Sequence, residues 1–114
     1  MSEEKVRTGF KVCRRKGYSK IVSAFGSLGE EVEYSNKFWT GRPILCGPLA
    51  LFGRLCNAEH FIEVEKHIDL SIFLCEYVES GEKRLYTSHK SGFIPQDGTI
   101  FADRIKLIKR MNKF

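Results

Sequence analysis

The side chains of this chain that could do chemistry are scattered along it rather than gathered in one motif. Cys56 and His60 stand four residues apart, which on a helix places both on one face, where they would serve as an activated thiol pair or as two metal ligands. Such a pair is more often just a partly buried helix surface, and that is the simpler account. Glu76 and Glu79 flank Tyr77 and Val78 in a β-prone run. Three apart on a strand, they point to opposite faces and cannot cooperate as acid and base unless a bulge intervenes. Trp39 and Arg42 sit in a stretch punctuated by Gly41, Pro43, Gly47 and Pro48. There Trp39 either fills a core edge or lines a concave ligand site, with Arg42 presenting a planar cation to a carboxylate or phosphate. Gly41 and Gly47 lack the ordered spacing of a phosphate loop.

Positive charge is concentrated at the two ends. Residues 1–20 carry seven Lys/Arg against two carboxylates, residues 21–100 seven against eleven, and residues 101–114 five against one. If the first and last strands lie side by side, Arg14, Arg15, Lys16, Lys20, Arg104, Lys106, Lys109, Arg110 and Lys113 form one basic surface suited to phosphate contacts. Tyr18, beside the first of these runs, would then stack on an unpaired base. The plainer account is a set of solvated edges, since lysine on an edge strand discourages aggregation. No RRM, zinc-finger or helix-turn-helix signature accompanies the charge.

The elements that must position these groups follow from period and punctuation. Residues 8–34 read as three short strands joined by tight turns, with Phe10, Val12 and Arg14 alternating against Lys11, Cys13 and Arg15. Gly26 to Gly29 supply a turn before Glu31, Val32, Glu33 and Tyr34 alternate charge with bulk. Residues 35–48 are a loop, and Leu49, Ala50, Leu51 and Phe52 are too few for a helix and fit a buried strand. Leu55, Ala58, Phe61, Ile62 and Val64 recur at spacings of three and four and mark one helix over residues 57–66. Residues 68–78 make a long strand that turns at Ser80 and Gly81 into a partner at 84–87. Asp97 and Gly98 mark another turn, and the final segment, 100–111, fits a strand better than a helix.

Residues 1–7 are expected to be a flexible N-terminus, and 8–114 a single α+β domain: a mainly antiparallel sheet of about six or seven strands with one central helix packed on it. With 42% hydrophobic and 29% charged residues among 114, the composition is that of a globular chain with a modest core. The absence of an apolar leader or a run of about 18 apolar residues predicts a soluble, cytoplasmic protein. Cys13, Cys46, Cys56 and Cys75 contain no paired C-x-x-C knuckle. They are expected as reduced thiols, with Cys13 and Cys75 acting as small hydrophobes in strands.

A succession of residues then resembles a known group. Phe10-Lys11-Val12 with Arg14, Glu31 to Tyr34 with Trp39-Thr40, Gly47-Pro48-Leu49 with Leu51-Phe52, Ala58 with Phe61, and Gly98-Thr99 leading into Ala102-Asp103-Arg104-Ile105 look like a set of small prokaryotic and viral domains that carry no secure activity. The resemblance covers almost the whole chain and implies an α+β fold, importing no catalytic residues. A looser similarity is to ADP-ribosyltransferase-like domains. It implies Arg14 or Arg15 gripping a nucleotide phosphate, Tyr34 stacking on a ring and Glu76 stabilising a developing positive sugar centre. The expectation that follows is a binding or interaction module without a cofactor or metal, recognising an anionic ligand or macromolecular partner through Tyr34, Trp39 and Arg42 or through the basic ends. A homodimer through an exposed β edge belongs to the same expectation. A nucleic-acid-binding regulator or nuclease-like protein, and a nucleotide-using transferase, are the alternatives.

Overall fold

The computed structural model describes residues 5–16, 20–23, 32–42, 47–65, 70–82, 85–87, 90–93 and 98–111. The first strand, β1 (Val6–Lys16), begins two residues earlier than expected, because Val6 and Arg7 are already in register with Val78 and Tyr77. It turns back into β2 (Lys20–Ser23), which pairs antiparallel with β1 and with β3 (Glu33–Tyr34), the meander read from alternation. β4 (Thr40–Gly41) and β5 (Leu49–Phe52) precede the helix α1 (Leu55–Glu65). β6 (Leu70–Glu79), β7 (Leu85–Thr87), β8 (Lys90–Phe93) and β9 (Thr99–Arg110) complete the order.

The pairing closes on itself. β1 pairs with β6, β6 with β9, β9 with β5, and β5 with β1 through Phe10 and Phe52, so the seven-stranded antiparallel sheet is rolled into a small barrel. Beyond β5, the second edges of β1 and β9 are taken by β2 and β4. There the Leu107 N–H donates to the Ser35 carbonyl at 2.9 Å, joining the β3 side to β9. Two irregularities in the β6–β9 register, at Leu74/Cys75 and Val78/Glu79, supply the bending that closure needs. Gly9 supplies the close approach: a Cβ there would stand 2.7 Å from Leu51 Cδ1 and 3.0 Å from the Phe52 carbonyl oxygen. Gly98, at φ +90°, makes the turn into β9 that its sequence announced.

Two cores result. Inside the barrel, Cys13, Tyr34, Leu49, Leu51, Cys75, Tyr77, Ala102, Ile105 and Leu107 pack together. On the outer face, α1 covers Val12, Phe52, Leu70 and Ile72 with Ala58 and Phe61, the Phe52 and Phe61 rings lying 5.6 Å apart. Thus β1 is apolar on both faces at Val12 and Cys13, and the alternation seen in the sequence separates barrel interior from helix-covered exterior.

Two expectations are corrected, and the condition that the end strands be neighbours is not met. β7 pairs with β8 as a separate two-stranded sheet rather than with β6, because both edges of β6 are occupied by β1 and β9. Val64 is exposed rather than part of the buried helix face. The first and last strands are not neighbours but are separated by β6. The strand reading of the last segment holds: β9 continues β6 pairing to its end, where the Met111 N–H donates to the Ile72 carbonyl. Among the described residues no helix is long and apolar enough to cross a membrane.

Candidate anion-binding cleft at the barrel end

β6 runs antiparallel to both β1 and β9, so the C-terminal ends of β1 and β9 reach the same end of the barrel, roughly 10 Å apart across one intervening strand. Arg14 is in register with Leu70 and Arg110 with Phe73, both near the start of β6. Arg15 lies opposite Ile21, and Lys16 opposite Lys20, on β2 at that same end. The fold therefore brings together Arg14, Arg15, Lys16 and Lys20 from the front of the sequence with Lys109 and Arg110 from the back. Arg104 and Lys106 lie further along β9, in register with Val78 and Glu76, away from this end. Tyr18 and Lys113 fall outside the described residues.

At this end a cleft of about 330 Å³ opens between the β2–β3 side and the β6–β9 side. Tyr34, Phe38 and Phe73 are among its lining residues, Tyr34 being 3% exposed and Phe38 53% exposed, and Lys37, Lys109 and Arg110 line it with positive charge. Glu33 is the carboxylate among its described lining residues. The volume sits at the low end of the roughly 300–1,000 Å³ range that holds small ligands.

Beneath the cleft the barrel contains a buried lysine. Lys11 is 7% exposed, its Nζ donates a hydrogen bond to the Ala50 carbonyl, and the same nitrogen lies 5.0 Å from the centre of the Tyr34 ring. Burial lowers the Lys11 pKa from its ordinary value, partly opposed by the charge of the Cys13 and Cys75 thiolate forms. Burial pushes both thiols up to about 12 and raises the Tyr34 phenol well above its ordinary range. The neutral forms of the two thiols and the phenol are therefore favoured inside the barrel, where they serve packing rather than nucleophilic attack.

The remaining sequence candidates are placed elsewhere. Trp39 stacks beneath the Arg104 guanidinium, 4.9 Å from ring centre to carbon, while Arg42 bonds to Glu82 at 2.7 Å and to Asp103 at 3.3 Å. Since Ile105 faces the interior, the Arg104 side chain beside it belongs to the outer wall, and Trp39 and Arg42 knit β4 to β9 there. Tyr34, by contrast, faces inward. Glu76 sits on the outer face next to inward Cys75, opposite Thr8 and Lys106. Six residues of β1 separate the Thr8 level from Arg14, about 20 Å along the strand. Arg14, Tyr34 and Glu76 are thus not brought together, which removes the geometry that the transferase likeness implied. Cys56 and His60 are both exposed on α1, and among the described residues no group of three His, Cys, Asp or Glu could hold a metal ion. Cys46, His67 and His89 lie outside the described residues.

Lys11, Lys37, Phe38 and Phe73 were not singled out from the sequence as site residues. For Lys11 the signal was present: a lysine between Gly9 and Cys13 on a strand whose other face is also apolar has no solvent face to occupy. The adjacent Phe38 and Trp39 turn to different duties, one over the cleft and the other against Arg104. Compared with protein-family models, with curated proteins and with solved structures, the chain matches none.

Proposed function

We propose that this chain is a binding module for an anionic ligand or partner, and that the cleft at the C-terminal ends of β1 and β9 is its binding site. The observation that carries this reading is the convergence of Lys37, Lys109 and Arg110 with Tyr34, Phe38 and Phe73 in one concave surface. Arg15 and Lys20 extend the positive field along β1 and β2. Cations grouped at a cleft raise the local concentration of anions and accelerate their capture. The aromatic walls add apolar area and a defined orientation that a solvated basic edge would lack. The unpaired thiols Cys13, Cys56 and Cys75 support a reducing compartment such as the cytoplasm.

The test is calorimetric titration of the purified chain with inorganic polyphosphate at low ionic strength. The reading expects saturable binding that weakens about tenfold or more in the Lys37→Ala/Lys109→Ala variant and is unchanged in Arg42→Ala. Equal binding by wild type and the double variant would overturn the assignment of the site.

A further inference from the structure

We infer that the ligand of this cleft is single-stranded nucleic acid, held by its phosphates along Lys109, Arg110 and Arg15 and by one unstacked base against Phe38. The inference rests on the anion-binding reading and narrows it. An anion without a ring or apolar group, such as a polyphosphate, makes little use of a phenylalanine that stands 53% exposed at the rim of a basic cleft. A planar base does, because every base offers a π face to an aromatic side chain regardless of sequence. A flat ligand that covers this ring removes apolar surface from water, which is favourable.

The shape of the cleft excludes a duplex as its natural occupant. Its volume of about 330 Å³ admits one ring and its attached backbone, whereas the bases of a duplex are stacked on one another and cannot reach Phe38 or Tyr34. The described lining also contains one carboxylate, Glu33. To a base it is an acceptor for an exocyclic amino group, as carboxylates accept from cytosine. Cations for the backbone, a ring for stacking and an acceptor for a base edge are the three groups by which unpaired nucleic acid is held. The two strand ends align them: β9 brings Lys109 and Arg110, β2 sets Ile21 against Arg15 and Tyr34, and the segment after β3 brings Lys37 and Phe38.

The experiment is fluorescence anisotropy with a labelled oligodeoxycytidylate of roughly ten residues, competed by the same strand annealed to its complement and by inorganic polyphosphate. We expect the single strand to bind with affinity that falls with salt at a logarithmic slope of about −2, as for three phosphates neutralised on a single strand. The duplex should compete at least tenfold less well. Phe38→Ala should weaken the single strand about tenfold, a several-fold larger loss than it causes for polyphosphate, while Phe38→Tyr restores the wild-type value. Because Phe38 is exposed, its replacement leaves the fold in place. Polyphosphate or duplex competing as well as the single strand, with Phe38→Ala silent, would overturn this inference and leave anion binding standing. Failure of every anion to bind at low salt would overturn both.

Discussion

Lys11 Nζ lies 5.0 Å from the centre of the Tyr34 ring, inside a barrel whose other contents are apolar side chains and thiols. Its hydrogen bond to the Ala50 carbonyl ties β1 to β5 across the interior, at the point where the sheet closes on itself. The lysine is thus a strut of the barrel beneath the cleft.

That placement dictates a pH profile. Burial lowers the folded Lys11 pKa below its ordinary 10.5, so between these two values the unfolded chain binds more protons and stability rises with pH. Cys13 and Cys75 act with the opposite sign: their folded pKa is raised from 9.0 to about 12, so their contribution is complete below pH 9 and is lost as pH rises toward 12. Tyr34 is raised as well and is lost on the same alkaline side. The urea midpoint should therefore climb with pH as Lys11 titrates at its lowered pKa, and fall as pH passes 9.0 and the unfolded thiols begin to ionise. Lys11→Met should abolish the climb and keep the fall; a variant profile parallel to wild type would contradict a buried, pKa-lowered lysine.

Gly9 should tolerate no side chain. An added Cβ meets Leu51 Cδ1 at 2.7 Å and a backbone carbonyl at 3.0 Å, and the carbonyl cannot move without opening the β1–β5 contact. Gly9→Ala is expected to cost about 1–3 kcal/mol in equilibrium unfolding, the usual range for overpacking. Gly81→Ala, where no atom lies within 4 Å of the added carbon, serves as the control and should stay within about 0.5 kcal/mol.

Among Cys13, Cys56 and Cys75, alkylation of the native protein should mark Cys56. It is exposed on α1, whereas burial encloses Cys13 and Cys75 and pushes their thiols up to about 12. Peptide mapping after brief iodoacetamide treatment at neutral pH checks this, and rapid modification of Cys13 or Cys75 in the folded state would contradict the closed barrel.

On the proposed reading Arg42 serves structure rather than ligand capture. Its bonds to Glu82 and Asp103 join partners whose side chains are about half exposed, so Arg42→Ala should cost no more than about 1 kcal/mol. Anion affinity should be unaltered in the same variant. A loss of affinity comparable to that of Lys109→Ala would move the site to the β4–β9 wall.

The fold was legible wherever local pattern and tertiary role coincide. The 49–52 strand, the helix face of Leu55, Ala58, Phe61 and Ile62, and the Gly98 turn each follow from spacing or residue type alone. The closure of the sheet was not, because it depends on long-range register between Phe10 and Phe52 and on bulges at Leu74/Cys75 and Val78/Glu79. The same pairing decided where β7 turned: with β6 flanked on both sides, Leu85–Thr87 found β8. Of the candidate site, the basic residues were visible as a charge bias, but which of them share an end was set by β6 lying between β1 and β9. Arg104 was assigned with them by composition and belongs instead beside Trp39.

The most direct test of the cleft is to map amide shifts in the ¹⁵N-labelled protein during titration with unlabelled oligodeoxycytidylate at low salt. The account predicts perturbations concentrated at Ile21, Tyr34, Lys37, Phe38, Lys109 and Arg110, with Trp39, Arg42 and Asp103 little changed. Shifts centred on the Trp39 and Arg42 wall, or spread evenly over every basic residue, would contradict it.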